Sequence, residues 1–441
     1  MFAFIAALAA TLYIFFVSIS ALFTACAFNK SWTRQIAASI GRVRGLYFLA
    51  DVGASFFTEF PLHLAALQYA ATKFVQFFGG FRYTLPWLAY FVDMAIVAGL
   101  LVLFVESLQE KTVVEEAVKD LVGGDPTEPL DSIVSHQYFN RLLKPFWQSS
   151  DIIIYPNITY ATSEEMTEAV ELTKDYDQPR RMVLDVYTHA KAPKDIGLRP
   201  VLVHIHGGAW RMGKKDVLYP HEADLITQDN WIVVNIGYRL APKNPYPTHL
   251  YDVKRALRWI KRTISVFGGD PNFVVVSGDS AGGHLAALAA LTANDPKYQP
   301  GFEDVDTSVQ GVITINGVLD LLHDGRAEYF TRQVAMQDKV DTEFLKKHSP
   351  RHLLSKVKEE GRLVPFFVIS GERDSVVDPS VGVRFKEAYD EVIGDKAAGT
   401  QCTLLKLPGA HHVCHIMWSP RSLHIARIAQ VWCRQLYNKR K

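Results

Sequence analysis

A serine framed by small residues, Gly278-Asp279-Ser280-Ala281-Gly282, follows the β-branched run "FVVVS" and precedes "HLAALAALTA", a good helix former. G-x-S-x-G between a strand and a helix forces a sharp, strained turn, and side chains two positions either side of the serine would clash. The helix N-terminus then favours negative charge beside the hydroxyl. Ser280 is therefore the candidate nucleophile; the alternative is a small-residue turn at a strand end. A serine needs a base, and the base needs an orienting acid. In folds that use this turn, the chain order is serine, acid, histidine. After "VPFFVIS" (Val364–Ser370), the loop "GERDSVVDPS" supplies Asp374, with Glu372 and Asp378 as neighbours able to substitute. After "CTLLKL" (Cys402–Leu407), "PGAHHVCH" offers His411, His412 and His415. Three histidines this close would also suit a metal, but no matching carboxylate or cysteine cluster accompanies them. Neither a metal nor an organic cofactor is expected.

A fourth segment, "HIHGGAW" (His204–Trp210), places two glycines at the end of the apolar run "VLV". Glycine loses the most entropy on ordering, so bare backbone here needs a reason. Acyl transfer supplies one. The carbonyl oxygen becomes an oxyanion, and N–H groups must already point at it. Gly207 and Gly208 let the backbone come close, and the N–H of Ala281 supplies another donor. Each such donor is worth roughly 3–4 kcal/mol in the transition state.

These residues need a sheet to hold them. Apolar β-type runs lie at Met182–Tyr187, Val201–Ile205, Trp231–Ile236, Phe273–Gly278, Gly311–Asn316, Val364–Ser370 and Cys402–Leu407. Helix-like stretches lie between or after them, at Thr248–Val266, Gly283–Thr292, Pro379–Val392 and Ser422–Tyr437. Short, nearly all-apolar strands alternating with amphipathic helices predict an α/β sheet covered on both faces. The long stretch Gly317–Leu363, with Asn140–Thr167, is expected to build a cap, and "YFTRQVAM" (Tyr329–Met336) reads as part of an apolar lid.

"HGGAW", "YRLAPKNPYP" (Tyr238–Pro247), "FGGDPNFVVVSGDSAGG" (Phe267–Gly283), "DSVVD" and "LPGAHH" together resemble the hormone-sensitive-lipase group of α/β-hydrolases. That group includes bacterial carboxylesterases and membrane-anchored arylacetamide deacetylases. "GDSAGGHLAALAALTANDP" and "LPGAHH" are most similar to actinobacterial membrane-linked esterases. The resemblance implies an α/β-hydrolase fold with Ser280 as nucleophile, Asp374 as acid and His412, rather than His411, as base. It implies an oxyanion hole from Gly207, Gly208 and Ala281. Ala209 replaces the usual third glycine, "DSVVD" stands where many members have "DPLRD", and the usual phenylalanine after the catalytic histidine region is absent. The expected activity is cleavage of carboxylic esters. An amidase, formamidase or methylesterase would use the same machinery, as would acyl transfer to an alcohol. An intact nucleophile, acid and base argue against a non-catalytic scaffold.

The N-terminus lies outside the resemblance. From Met1 to Asn29 there is no charged residue and no histidine. This exceeds the roughly 20 apolar residues that cross a bilayer and the ~7–15 of a signal-peptide core, and no positive n-region precedes it. Leu85–Val105 is a second candidate span, broken only by Asp93, which should face a bundle interior. Between them, Leu46–Phe78 is ambiguous. Asp51, Ser55, Glu59 and His63 fall four apart and predict one polar stripe between packed helices, with a kink at Pro61. Lys30, Arg34, Arg42 and Arg44 mark a cytoplasmic loop, so whether Leu46–Phe78 crosses decides the side of the large C-terminal part. The expected organisation is a transmembrane helical region over 1–110, a linker with cap-contributing helices over 111–154, and a hydrolase domain over 155–441. Lys+Arg and Asp+Glu nearly balance, at 47 and 46, and exclude a nucleic-acid partner. The expected partners are the bilayer and a hydrophobic small-molecule or lipid ester; the oligomeric state is left open. Four cysteines are no disulfide framework, although three near the C-terminus leave one local bridge conceivable.

Overall fold

The computed structural model describes residues 1–32, 35, 46–123, 136–146, 148–193, 197–323, 325–394 and 401–440. The basic loop residues Arg34, Arg42 and Arg44 lie outside them, as does the turn-like stretch 124–129.

Eight strands form one sheet: β1 (Ile152–Thr159), β2 (Val183–His189), β3 (Arg199–Ile205), β4 (Ile232–Ile236), β5 (Gly269–Asp279), β6 (Gly311–Ile315), β7 (Phe366–Gly371) and β8 (Cys402–Leu407). Their spatial order is β1-β2-β4-β3-β5-β6-β7-β8. The β1–β2 and β2–β4 pairs are antiparallel, and the rest of the sheet is parallel. Each expected strand is present. β1 is an addition, because Pro156 and an irregular register between Tyr155 and Ile158 hide it from pattern reading. Such a strand is tolerated at a sheet edge, and β1 is one.

Alternation along the central strands feeds two cores. Val201, Val203, Ile205, Val274 and Val276 face one, and Leu202, Phe273 and Val275 face the other. Among the described residues, fourteen α-helices, in chain order, surround this sheet or precede it: α1 (Phe2–Phe28), α2 (Leu46–Glu59), α3 (Pro61–Phe77), α4 (Thr84–Val122), α5 (His136–Leu143), α6 (Ser163–Thr173), α7 (Pro220–Asp229), α8 (Thr248–Thr263), α9 (Ala281–Leu291), α10 (Arg326–Gln333), α11 (Thr342–Lys347), α12 (Pro350–Glu359), α13 (Ser380–Ile393) and α14 (Pro420–Asn438). Residues of α8, α9, α10, α12 and α13 join the first core. Residues of α7, α14 and the C-terminal half of α4 join the second.

The N-terminal helices form a bundle seated on the sheet domain. Pro61 does more than kink the stretch 46–78: α2 ends at Glu59 and α3 starts afresh at Pro61. Helix α4 runs unbroken through the boundary expected at residue 110. Its buried residues Asp93, Ile96, Leu100, Leu103, Ser107, Glu110, Val114 and Val118 recur at threes and fours, one stripe along the whole helix. The upper part of that stripe meets the bundle. Asp93 lies inside it and accepts hydrogen bonds from Tyr13 (2.8 Å) and Thr72 (2.8 Å). The lower part meets the hydrolase core through Val114 and Val118. All four cysteines are free and buried, so the conceivable local bridge is not formed.

Candidate active site

The C-terminal ends of β3, β5, β6, β7 and β8 lie side by side, and each continues into a loop carrying candidate residues. The chain switches direction across the sheet between β3 and β5, where open α/β sheets place ligands.

Ser280 stands between β5 and α9 with φ 52° and ψ −118°. A non-glycine residue there carries strain of about 1–3 kcal/mol and must be held by its surroundings. The N–H of Ser280 donates to Ile315 O (3.0 Å), and Val318 N–H donates to Ser280 O (3.2 Å). A Cβ on Gly282 would stand 1.9 Å from Ile205 O, and one on Gly278 would stand 2.4 Å from the Gly282 backbone. The glycines are dictated by this close approach.

Asp374 lies in the loop after β7, buried, and its Oδ2 is 2.7 Å from His412 Nδ1. Its Oδ1 accepts from the N–H groups of Val376 and Val377, both at 2.8 Å. Burial works against a charged imidazole at His412, but the facing Asp374 carboxylate outweighs it and the net direction is upward. His411 is turned away, with Nε2 3.1 Å from Ala27 O. Asn316, at the end of β6 with φ 51°, ties the two loops together. Its Nδ2 donates to His412 O (2.8 Å) and His411 O (3.3 Å), and its Oδ1 accepts from Gly371 N–H (2.8 Å). Sequence reasoning passed over Asn316 as the last residue of a strand.

The glycine loop differs in detail from expectation. Gly207 donates its N–H to Asp279 Oδ1 at 2.9 Å, so that N–H is already committed. Gly208 (φ 121°), Ala209 (φ 52°) and Trp210 (φ 60°) form a run of positive φ. Among the described residues, no acceptor meets the N–H of Gly208, Ala209 or Ala281. Available donors thus centre on Gly208, Ala209 and Ala281, with Gly207 serving the loop's anchorage. Further anchors are buried. Trp210 Nε1 donates to His284 Nδ1 (3.3 Å), and Tyr238 Oη donates to His206 O (2.8 Å). His284 Nε2 in turn lies 2.8 Å from His348 O, which fixes that ring's proton on Nε2. Burial pushes His284 down to about 3, so it stays neutral.

Under the loop lies a buried polar chain. His204 Nδ1 is 3.2 Å from Glu222 Oε1, and His204 Nε2 is 3.4 Å from Asp279 Oδ1. Burial opposes the Asp279 charge, but His204 and the Gly207 N–H hold its carboxyl below the ordinary range. Among the described residues, His204, His221 and Glu222 bring ligand atoms within 4.8 Å of one another. The late histidines considered for a metal divide their tasks differently: His412 pairs with Asp374, and His411 faces Ala27.

The segment read as part of a lid packs against the glycine loop. Phe330 of α10 is fully buried with its ring 5.1 Å from that of Trp210, and Tyr329 Oη donates to Ala209 O (3.4 Å). The described part of Asn140–Thr167 behaves otherwise. It builds the edge strand β1, and Arg141 of α5 pairs with Asp224 of α7 (2.9 Å). Glu165 of α6 is bound by Arg255 (3.0 Å) and Arg258 (2.7 Å) of α8.

Residues 184–389 match the family model BD-FAE. The chain is 39% identical over 248 residues to the esterase LipQ of Mycobacterium tuberculosis, covering 55% of this chain and 56% of that one. It is 36% identical over 251 residues to the probable carboxylic ester hydrolase LipM of the same organism, covering 55% of each. A match to arylacetamide deacetylase of Bos taurus reaches 36% over 116 residues, covering 24% of this chain and 28% of that one. Over the sheet domain the chain is similar to α/β-hydrolase carboxylesterases of this kind. The chain spans little more than half the length of LipQ and LipM. Among solved structures, inhibited esterase B from Lactobacillus rhamnosis covers 75% of this chain and 98% of its own, at 18% identity and a TM-score of 0.50. That likeness carries the α/β-hydrolase fold alone. In the family domain, the match ends at residue 389, before the His412 loop, and begins after the helical bundle.

Proposed function

We propose that the protein is a membrane-anchored serine carboxylic ester hydrolase acting on hydrophobic acyl esters. His412 takes the proton of Ser280, whose oxygen attacks the ester carbonyl. Asp374 holds the imidazole with its proton on Nδ1. The oxyanion forms against the backbone N–H groups of the glycine loop and Ala281. Alcohol leaves, carrying the proton from His412; water then attacks the acyl-enzyme and releases the acid. The observation that carries this reading is the buried 2.7 Å Asp374–His412 pair on the sheet edge that also bears the strained Ser280. Fluorophosphonate labelling of membranes containing the protein tests it. Wild type should label, while Ser280→Ala and His412→Ala should not; labelling of Ser280→Ala would refute the assignment.

Membrane anchoring rests on α1 and α4. A core helix of a soluble protein is mostly buried, yet only 28% of the apolar stretch of α1 and 22% of that of α4 is covered. Phe15, Phe91 and Leu88 stand out among many exposed apolar side chains there. We read α3 as a third crossing, although it has only 17 residues. It starts beside the hydrolase at Pro61 and ends beside the start of the chain: Gly80 lies against Ala10, and Tyr83 Oη donates to Ala3 O (3.3 Å). Helix α4 then returns to the hydrolase. The end of α1, followed by Lys30, and the start of α2 therefore share a side with the hydrolase, which the positive-inside rule reads as cytoplasmic.

A further inference from the structure

The polar stripe Asp51, Ser55 and Glu59 does not face other helices of the bundle. All three are buried against the hydrolase, and His63, beyond the break at Pro61, is exposed and apart from them. Asp51 reaches furthest. Its Oδ1 accepts from Ser375 Oγ (2.6 Å) and Ser375 N–H (3.1 Å), and its Oδ2 accepts from the N–H of His412 (3.2 Å). Ser375 follows Asp374. One carboxylate of α2 thus grips both the loop that carries the acid and the loop that carries the base.

Neighbouring contacts repeat the pattern. Arg373, preceding Asp374, donates to Glu106 of α4 (2.6 Å) and to Ala27 O of α1 (3.2 Å). Gly409 N–H donates to Glu110 (2.7 Å). A Cβ on Gly409 would stand 2.3 Å from Arg421 Nη2 of α14 and 2.7 Å from Glu110 Oε1 of α4, so only a bare backbone fits between them.

We propose that Asp51 is a positioning residue of the hydrolase site, holding the Asp374 loop to the His412 loop from the helical bundle. This rests on the Ser280–His412–Asp374 reading above. A hydrogen bond between an acid and a base orients the base only if both backbones are fixed, and Asp51 fixes both by a single group. Asn316 ties the same two loops from within the family match, whereas Asp51 holds them from outside residues 184–389. The site is complete only with the bundle docked.

The test uses the full chain in membranes or detergent, with Asp51→Asn, Asp51→Glu, Ser375→Ala and Ser280→Ala. His412 is faced by the charges of Asp374, Asp51 and Asp279, with His411 and His415 close by. The Asp51 charge favours the imidazolium, so its removal lowers the pH at which His412 deprotonates. For Asp51→Asn we expect kcat down about tenfold or more with KM within about twofold. The acid limb of kcat/KM should move to lower pH by about 0.5 or more. Asp51→Glu should restore part of kcat and return the limb. Ser375→Ala keeps the charge and should lower kcat without moving the limb, which decides the matter even if Asp51→Asn folds poorly. A merely structural role would lower the number of phosphonate-titratable sites and leave kcat per site at the wild-type value in both Asp51→Asn and Ser375→Ala; that outcome overturns the proposal, as does an acid limb that stays in place in Asp51→Asn. If Ser280→Ala retains turnover, the serine reading falls and this proposal falls with it. If Ser280→Ala is inactive, the Asp51 result stands or falls alone.

Discussion

Ser280 is held in a conformation that its own chemistry disfavours, and the glycines around it are what make that possible. The Cβ of a Gly282→Ala variant would meet the Ile205 carbonyl at 1.9 Å, which is backbone that cannot swing aside. Overpacking of this kind costs about 1–3 kcal/mol or more, and the strand and helix must part to relieve it. We expect Gly282→Ala to lower the melting temperature and abolish phosphonate labelling together. Asp279 offers a cleaner separation. Asp279→Asn keeps the shape but loses the charge that receives the Gly207 N–H and faces His204. Its kcat should fall while KM changes little, as a loss confined to the transition state. In the proposed mechanism the protonation of His412 sets the pH dependence. Activity needs the neutral imidazole, and Asp374 favours the charged one, so kcat/KM falls as pH drops through a value above the ordinary 6.5 for histidine. Asp374→Asn should move that limb to lower pH while cutting kcat by up to about 10⁴-fold.

Elements differ in how plainly the sequence announces them. The central strands are short and apolar on both faces, and β3 to β8 coincide with their predicted runs because two cores cover them. The elbow was legible for the same reason: strand, small residues and helix are all local. β1 was not, since its pairing partner is β2 and its own pattern is broken by Pro156 and a bulge. The continuity of α4 past residue 110 was also hidden. Composition changes there from apolar to charged, but the threes-and-fours spacing of buried residues does not. The commitment of Gly207 to Asp279, the loop-tying Asn316 and the grip of Asp51 are contacts between distant segments, and no periodicity reports them. Helix α10 makes a prediction at this scale. Phe330 fills the space against Trp210 and Tyr246. Phe330→Ala should destabilise the protein by about 3–5 kcal/mol and broaden the range of acyl lengths accepted, measured with a series of p-nitrophenyl esters.

At the scale of the whole molecule, bundle and hydrolase share a buried ionic centre. Arg421 of α14 is fully enclosed, donating to Glu110 (2.9 Å), Glu59 (3.0 Å) and Thr58 O (3.1 Å). Replacing Arg421 with leucine strands two carboxylates in the interior, and breaking such a set costs about 3–5 kcal/mol. Unfolding by heat should show the two parts melting together in wild type and separately in Arg421→Leu. The orientation argued above has its own check. A cysteine placed at Lys439, near the end of the hydrolase, should resist a membrane-impermeant maleimide in intact cells and react after lysis.

Helix α4 has a last consequence. At 39 residues it is on the order of 58 Å long at ~1.5 Å per residue, and no hinge divides its exposed apolar part from its hydrolase-facing part. The catalytic body is therefore mounted on a stiff post. Anchored as proposed, it would drift sideways and spin with its membrane. Collisions with bilayer-borne substrates would then occur in two dimensions and at one fixed altitude, and the depth at which a molecule carries its ester bond would become a criterion of selection alongside the bond itself.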